Sequence, residues 1–394
     1  MPNTLLTPSQ ITREALRVLH QKCNFIGNIN RQYDDSFAQS GAKIGDSLRI
    51  RLPNQYVVRN GATLSAQDTI ESQVTLQVNN QVGVDLNFTS VELTLSLDDF
   101  STRILDPAMS VLAANIESRV LAQVIPDVFN TVNGIGAAAT FSQVLQARKI
   151  LTDNLVPTDG NRSVVMNTQM NVDIVDAVKG LFNDTSTISK QYKEGMVGRT
   201  AGFDFYENTL LQQSTSGSST TGTVSGAVTA NGSTSLVLGA AVTLKRGDVF
   251  TISGTTRVHP ESKTVTTGLQ QFVVAADVTA ATTVTFSPAI QTSGALQNVV
   301  ATGIANGATL TKVGGASAVY SPSLAFHKDA FTFATADLVM PKGVDFSARD
   351  TMDGISMRVV RAYDINNDQF PCRLDVLWGA RTLRAQMACR ILTN

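Results

Sequence analysis

The chain has 394 residues, of which 43% are hydrophobic and 16% charged, a composition that suits a folded protein and excludes disorder over most of its length. Its 31 Lys and Arg residues nearly cancel its 32 Asp and Glu residues, so net charge gives no reason to expect a protein that wraps nucleic acid or binds anionic membranes. Cys23, Cys372 and Cys389 are odd in number and widely spaced. This pattern argues against a disulfide framework and a structural zinc site, and predicts reduced, buried thiols.

No apolar run approaches the roughly 20 residues that a helix needs to span a bilayer. The first ten residues lack the basic segment and apolar stretch of a secretory signal. We therefore expect a soluble intracellular product with no membrane partner.

The first predicted element is an amphipathic helix in the N-terminal arm. Thr7, Pro8 and Gln10 form an N-cap, a proline at the first helical position and a Gln that reaches back to the cap. Apolar residues then share one face at helical spacing: Ile11, Ala15, Val18 and Leu19.

An extended hairpin is predicted next, because from Gly45 the apolar residues recur every second position. Leu48, Ile50 and Leu52 mark one strand, and Val74, Leu76 and Val78 mark the other, with a tip near Gly61 and Ser65–Asp68. A third alternating run, residues 82–88, predicts a strand in a sheet of the body.

Three helices are predicted in the middle of the chain. Asp106 and Pro107 begin the first, whose apolar positions continue to Phe129, giving about 23 residues or roughly 34 Å. The second extends from the capping box at Thr140 to Leu155, and the third covers residues 167–181. Because residues 163–166 between them form a strand pattern, we expect an α+β fold.

Residues 214–317 differ sharply in composition, with 46 Thr, Ser and Gly residues and only eight charged side chains. Four short runs rich in β-branched residues, separated by turn residues, predict a small β-barrel or sandwich: residues 234–238, 249–252, 271–274 and 282–286. After this segment, residues 355–363 and 370–378 predict a hairpin around the turn Asp364–Asp368.

The sequence contains no pattern that supports catalysis, a cofactor site or a metal site. It has no G-x-S-x-G motif, and His20, His259 and His327 lie in separate predicted elements, outside any zinc motif. The Asp364–Asp368 turn has alternating oxygen ligands of a calcium loop but lacks its glycine and final Glu, which favours a simple turn. Arg246–Asp248 spells an adhesion tripeptide, yet the absence of a secretion signal favours a turn before a strand.

Four motifs, taken in succession, resemble one known protein family: Leu97–Phe100 before the long helix, Thr200–Asp204 before the Thr-rich segment, Leu244–Asp248 with Phe250 inside it, and Phe326–Phe331 after it. In this succession the chain resembles the major capsid (coat) proteins of short-tailed double-stranded-DNA bacteriophages. The members in question carry an inserted domain within the capsid fold common to tailed phages and herpesviruses.

The resemblance implies an α+β tailed-phage major capsid fold with an inserted all-β, barrel-like domain. The implied parts are an N-terminal arm (1–44), an extended hairpin loop (45–80), a peripheral domain with a long spine helix and the first part of an axial domain (81–213), the inserted β-domain (214–317) and the remainder of the body (318–394). The insert of this chain is unusually poor in charged residues. This argues against contacts that members of the family would make through charged groups of this domain.

The resemblance also implies a non-enzymatic protein that assembles with itself into pentamers and hexamers of an icosahedral shell around double-stranded DNA, without reading its sequence. Scaffolding and portal proteins are its implied partners, and the host bacterial cytoplasm is its place of assembly. Near-zero net charge fits a shell of many identical copies.

Arg49, Arg51 and Arg59 alternate with apolar residues on the predicted hairpin, so they are candidates for pairing with carboxylates of an adjacent subunit. A solvated strand face explains the same pattern equally well. Two other functions stay open at this point: a β-rich adhesin or tail-fibre-like binding protein, suggested by the Thr, Ser and Gly content, and an enzyme.

Overall fold

The computed structural model describes residues 15, 23–31, 47–59, 61–64, 66, 72–89, 106–178, 198–352 and 355–393. The predicted arm helix apart from Ala15, the motif Leu97–Phe100 and most of the predicted hairpin tip lie outside these residues. The chain divides into two compact units. Unit 1 comprises the described residues within 1–50, 73–120 and 331–381, and unit 2 those within 51–72, 121–330 and 382–394.

Ala15 is helical, and four α-helices have defined bounds: α1 Asn24–Gly27, α2 Asp106–Val124, α3 Phe141–Asp153 and α4 Thr168–Val178. Strand is the more abundant element. The strands are β1 Ser47–Arg51, β2 Gln73–Gln77, β3 Asn80–Thr89, β4 Thr131–Asn133, β5 Arg162–Met166, β6 Arg199–Thr200, β7 Phe203–Glu207, β8 Ser214–Thr215, β9 Thr221–Thr223, β10 Ser233–Leu244, β11 Val249–Val258, β12 Val265–Val274, β13 Val278–Ile290, β14 Thr309–Lys312, β15 Val319–His327, β16 Phe331–Ala336, β17 Phe346–Met352, β18 Ile355–Arg361, β19 Gln369–Thr382 and β20 Ala388–Thr393. The predicted α+β class is confirmed.

Helix α2 begins at the predicted residue but is shorter than predicted. It ends at Val124 and is followed by one 3₁₀ turn, Ile125–Asp127, so the prediction that it continues to Phe129 is wrong. Pro126 accounts for the difference, because it lacks an N–H and disfavours α-helical geometry at Ile125.

Helices α3 and α4 follow the predicted capping signals. The Thr140 N–H donates to the Gln143 side chain at 3.0 Å, which is one half of the predicted capping box. The Asn167 side-chain oxygen accepts the Met170 N–H at 2.6 Å and caps α4. The predicted end of α4, residues 179–181, lies outside the described residues.

Unit 1 contains two sheets. Strands β1 and β2 pair as the predicted hairpin, and a second sheet has the order β16-β19-β18-β17 with β3 also paired to β19. The pairing of β18 with β19 confirms the hairpin predicted around Asp364–Asp368. Its core includes Phe333 and Trp378, whose rings stack with centroids 6.0 Å apart.

The short helix α1 is held against α2 in unit 1. The Phe25 N–H donates to Glu117 Oε1 at 3.0 Å, and Glu117 is only 1% exposed. The Phe25 ring packs 5.7 Å from the ring of Phe331, and the Phe333 N–H donates to the Asn30 carbonyl at 3.0 Å. A buried carboxylate and strand β16 thus fix the position where the N-terminal arm joins the body.

Unit 2 contains a sheet of order β4-β20-β15-β5-β7-β6, with β8 paired to β15. Every residue of β5 and β20 is buried, as expected for central strands covered on both faces. Strand β15 joins β20 and β5, so residues on either side of the Thr-rich segment belong to one sheet.

The Thr-rich segment forms a six-stranded β-barrel within unit 2. The strand order is β10-β13-β12-β11-β14-β9. The Ser225 N–H donates to the Val237 carbonyl at 2.8 Å and Val224 bridges Leu238, so the segment after β9 returns to β10 and closes the sheet. Phe250, Phe272 and Phe286 fill the interior, with ring centroids 5.2 to 6.1 Å apart.

The entry and exit of the barrel lie side by side. Ser214 pairs with Tyr320 and Thr215 with Val319, and the Ser216 N–H then donates to the Ala318 carbonyl at 2.9 Å. We call this crossing, residues 214–217 and 315–320, the neck. It places the barrel at the end of an antiparallel pair that belongs to the body sheet.

Candidate subunit interface

Strand β1 separates an apolar face from an arginine face. Leu48 and Ile50 pack against a buried cluster in unit 1, whereas Arg49 and Arg51 are exposed. The cluster consists of Leu76, Val78, Ala334, Ala336, Leu338 and Leu377. This alternation is what a strand with one buried face requires. It presents the two guanidinium groups to the surroundings.

Arg59 lies in the segment that follows β1 and bonds to its own loop. Its guanidinium donates to the carbonyl oxygens of Gly61 and Thr63, the latter at 2.8 Å, and it remains exposed. Gly61 has a φ of +100°, a backbone conformation that a residue with a side chain rarely adopts. Arg59 therefore shapes this loop as well as adding charge to it.

The segment that follows β1 also has large apolar side chains that are exposed. Tyr56 is 59% exposed, Val58 84% and Leu64 82%. These side chains were not predicted to form a surface. The sequence has one signal for them, the adjacent apolar residues Val57 and Val58 within a polar segment. We call residues 49–64 the hairpin arm. This segment of the chain contains exposed apolar side chains and arginines, which are residue types found at protein interfaces.

Other arginines of unit 1 are used within their own sheet. Arg358 donates to the buried Asp375 at 2.6 Å, and Arg373 Nε donates to the same carboxylate at 2.8 Å. This bond is the main reason that the pKa of Arg373 is raised. By contrast, among the residues that the structure describes, no carboxylate lies within ion-pair distance of Arg49.

The neck of the barrel is built around a buried lysine. Lys312 Nζ donates to Ser216 Oγ at 2.7 Å, to the Gly217 carbonyl at 2.9 Å and to the Gly315 carbonyl at 2.7 Å. Burial lowers the pKa of Lys312, an effect that the nearby Asp248 carboxylate opposes. The lysine thus joins the entering and leaving segments.

The turn Arg246–Asp248 attaches the barrel to the body sheet. Arg246 pairs with Asp127 at 2.7 Å, and the buried Arg390 of β20 donates to the Gly247 carbonyl at 2.8 Å. Asp248 accepts the Gly217 N–H at 2.9 Å. The predicted turn before β11 is confirmed, and its three residues are all used inside the molecule.

A second contact holds the barrel against the body. The Gln271 side chain accepts the Thr131 N–H at 2.8 Å and donates to the Thr131 carbonyl at 3.0 Å. Beside it, Phe129 packs with Val249 and Val273 in one apolar cluster. The barrel is therefore seated through polar and apolar contacts in addition to its neck.

The described histidines and the cysteines have structural surroundings. His327 is buried, with Nε2 3.1 Å from Asp159 Oδ1, and His259 Nδ1 accepts the Ser262 N–H at 3.1 Å. Cys23, Cys372 and Cys389 are free thiols and buried, which confirms that prediction. Burial raises the pKa of Cys372 to about 11 and that of Cys389 to about 12.

The described residues include no cluster of three or more His, Cys, Asp or Glu side chains placed to hold a metal ion. A groove of about 530 Å³ near the start of α4 is lined by side chains without titratable groups: Asn167, Thr168, Gln169, Asn208, Thr209, Leu211, Gln213 and Ser321. It offers hydrogen bonds but no acid or base.

One described helical stretch, Pro107–Asp127, is long and apolar enough by composition to cross a membrane. Core helices pass the same test, and 56% of its most apolar window is buried inside the protein. Met109, Leu112 and Ile116 are among its buried side chains, so this stretch has the environment of a core helix.

Comparison with known families gives one match over nearly the whole chain. The sequence model of the P22 coat protein, gene protein 5, matches residues 14–393. A search of curated proteins gives no significant match.

Three solved structures with a similar arrangement are distant in sequence. A Mycobacterium phage Che8 chain is 13% identical with a TM-score of 0.47, and the alignment covers 92% of this chain and 89% of that one. A Microbacterium phage Oxtober96 chain is 8% identical with a TM-score of 0.45, covering 100% and 94%. A virus-like particle from Pyrococcus furiosus is 7% identical with a TM-score of 0.43, covering 97% of each chain. Because these TM-scores lie below 0.5, classification rests on the sequence family.

Proposed function

This chain belongs to the P22 coat protein family and is a major capsid protein that forms a phage shell; from this premise we propose how it does so. Copies of the chain associate as pentamers and hexamers into a closed icosahedral shell around double-stranded DNA. The shell assembles in the host cytoplasm, with scaffolding and portal proteins as partners. The protein contacts DNA without reading its sequence.

The observation that carries this proposal is the hairpin arm. A single copy leaves Tyr56, Val58 and Leu64 exposed in the segment that follows β1, and exposed large apolar side chains favour burial against another protein. In a shell, an adjacent copy would cover these side chains. Arg49, Arg51 and Arg59 would then pair with carboxylates of that copy.

The proposed mechanism is geometric and involves no catalysis. Among the described residues, the polar groove near α4 lacks acid and base groups, and the histidines serve as turn and strand-end partners. An adhesin also needs no chemistry, but the family match over residues 14–393 favours the capsid role.

We also propose the domain organisation implied by the family resemblance: arm 1–44, hairpin loop 45–80, peripheral domain and first axial part 81–213, insert 214–317 and remaining body 318–394. The separate apolar core of the barrel and the adjacent chain ends at its neck support the insert boundaries. Residues 214–317 expressed alone should give an all-β spectrum and a cooperative melt. A disordered or helical fragment would contradict these boundaries.

The central test is assembly. We expect the purified protein, with or without a scaffold, to form capsomers or shells visible by sedimentation and electron microscopy. A species that stays strictly monomeric at all concentrations, with no particles in expressing cells, would contradict the proposal.

The hairpin arm is tested by charge reversal. We expect Arg49→Glu with Arg51→Glu to block or misdirect assembly while leaving the circular dichroism spectrum unchanged, because both side chains are exposed. Arg381→Glu with Lys342→Glu is the matched control, since it reverses two exposed charges outside the arm. Normal shells from the arm variant would show that the arginines form only a solvated face.

A further inference from the structure

The largest charge-free surface strands of the described chain are β10 and β13. They pair antiparallel, and neither contains an Asp, Glu, Lys, Arg or His residue. Charge is also absent from the flanking sequence, throughout residues 208–244 and 278–311. At one end, Lys245 and Asp277 pair with each other at 3.6 Å.

The two strands alternate between the barrel interior and an outward face. Leu236, Val284 and Phe286 point into the core and are buried. Val237, which is 47% exposed, lies opposite Thr283 on the outward face. Where the register shifts, the strands expose consecutive small or hydroxyl-bearing residues: Thr234, Gly239, Ala240, Ala241, Thr279, Ala280, Ala281 and Thr282. Ser235 and Thr285 pair with each other next to Val237 and Thr283, and they are also exposed on the outward face. We call this surface the neutral face.

The few charges of the barrel lie in other places. Arg246 and Arg257 contact the body at Asp127 and Asn154, both at 2.7 Å. Lys312 and Asp248 act at the neck. Lys263 Nζ donates to the carbonyls of Pro260 and Ala295. The barrel thus has charged residues in its sequence but places none on the neutral face.

A charge-free β surface differs from the usual surface of a soluble β protein. The surface of a soluble protein normally carries interspersed charged side chains, and a surface without charge is prone to associate. Such a face is electrostatically compatible with its own copy, because two identical neutral faces meet without like-charge repulsion. The hairpin arm, with its arginines, lacks this property.

We propose that the neutral face is a contact surface for a second copy of this chain in the shell, packed through Val237, Thr283 and their neighbours without ion pairs. The proposal rests on the proposed shell function and adds a second contact to it. This contact should be insensitive to ionic strength, because no charged group takes part.

Adding charge to the neutral face tests the proposal. We expect Val237→Lys with Thr283→Lys to lower the yield of shells at least tenfold while the barrel still melts cooperatively, because both positions are exposed. Val265→Lys is the matched control: Val265 is a 64% exposed strand residue in a part of the barrel that already carries Arg257, Glu261 and Lys263. This control should assemble normally.

A chemical readout covers the case in which the lysine variant fails to fold. The three native cysteines are buried, so a cysteine introduced as Val237→Cys provides one reactive thiol. Maleimide should label it at least tenfold more slowly in shells than in unassembled protein. Equal labelling rates in the two states would overturn the proposal.

The outcomes separate this inference from the function on which it rests. Normal shells from the double lysine variant, or equal loss of shells in the Val265→Lys control, would overturn the neutral-face contact and leave the capsid role intact. Failure of the unaltered chain to form any particle would instead contradict the capsid role.

Discussion

Different side chains hold the strands together in two regions of the molecule. One region is the sheet of unit 1 that consists of β3 and β16–β19, and the other is the β9–β14 barrel of unit 2. The unit 1 sheet carries ion pairs: Arg349–Asp337, Arg358–Asp375, Arg361–Asp345 and Arg373–Asp85. The barrel instead packs three phenylalanine rings at its centre and leaves its longest strand pair without charge. The two regions therefore differ in how far charged groups contribute to their stability.

This contrast bears on how each region responds to its surroundings. Ion pairs weaken when a partner is neutralised or when salt screens the exposed ones, whereas apolar burial involves no charge that can be neutralised or screened. A shell protein with both kinds of region has contacts that respond to ionic conditions and contacts that do not. Four changes test how cleanly this division holds.

The largest effect is expected at the centre of the barrel. Phe272 is fully buried between Phe250 and Phe286, so Phe272→Ala removes a ring from a close-packed core. We expect a loss of about 3–5 kcal/mol in the free energy of unfolding of the barrel. Leu269→Ala on the same strand, where the side chain is 41% exposed, is the control and should cost far less. Urea denaturation with barrel-specific hydrogen exchange measures both; similar losses would contradict a ring-centred core.

The second change breaks the buried charge of unit 1. Asp375→Asn keeps the size of the side chain but leaves Arg358 and Arg373 without their shared carboxylate. We expect the free energy of unfolding to fall by about 3 kcal/mol, because removing one partner of a buried ion pair leaves the other charge without compensation. Asp345→Asn at the more exposed pair with Arg361 should cost less than about 1 kcal/mol. Equal costs, measured by urea denaturation, would show that burial does not set the difference.

The third change removes the charge at the neck. Lys312→Met removes three hydrogen bonds that a buried charged donor makes, which should cost about 2 kcal/mol although each acceptor keeps a second donor. The desolvation that lowers the pKa of Lys312 offsets part of the loss. Hydrogen exchange at residues 214–217 should accelerate first. Lys245→Met, at an exposed pair, should leave this exchange unchanged.

The smallest effect concerns alkaline pH and falls on unit 1. The pKa of Cys372 rises from 9.0 to about 11 in the folded protein, so the unfolded chain loses this proton first as pH rises. The free energy of unfolding should fall between pH 9 and pH 11, by about 1 kcal/mol from pH 9 to pH 10 for this thiol. Cys372→Ala should flatten that slope in urea denaturations at pH 8, 9 and 10. An unchanged slope would assign the loss to other groups, and the barrel, which has no cysteine, provides an internal reference.

Sequence patterns predicted the strands that have one buried face. Period-two runs predicted β1, β2 and β3, because alternation survives wherever one side of a strand is exposed. Strand β18 was predicted from a strand-like run that ends at a polar turn. Strands β16 and β20 were not predicted, because all their residues are buried and no exposed face marks the strand. Strand β5 is equally buried but was predicted because it lies between two helix patterns. The long helix was predicted too long because its apolar pattern continues to Phe129, whereas Pro126 ends the α-helical geometry earlier.

The candidate interface was predicted in part. The alternation in β1 identified Arg49 and Arg51 as exposed, which the structure bears out. The exposure of Tyr56, Val58 and Leu64 could not be predicted from the sequence, because only tertiary structure decides whether other residues pack over an apolar side chain. The pairing of Arg358 with Asp375 likewise depends on the register between β18 and β19.

The neck has a consequence for how such a protein changes over many generations. Because Ser214 pairs with Tyr320, a deletion of the barrel would leave β8 and β15 as an ordinary hairpin that a short turn closes. A single insertion or deletion can therefore add or remove the whole domain without changing the strand order of the body sheet. The contacts between the barrel and the body sheet oppose such a loss. Without the barrel, Phe129 would be exposed and the buried Arg390 would lack its acceptor, the Gly247 carbonyl. A lineage without the domain should carry smaller or uncharged residues at both of these positions.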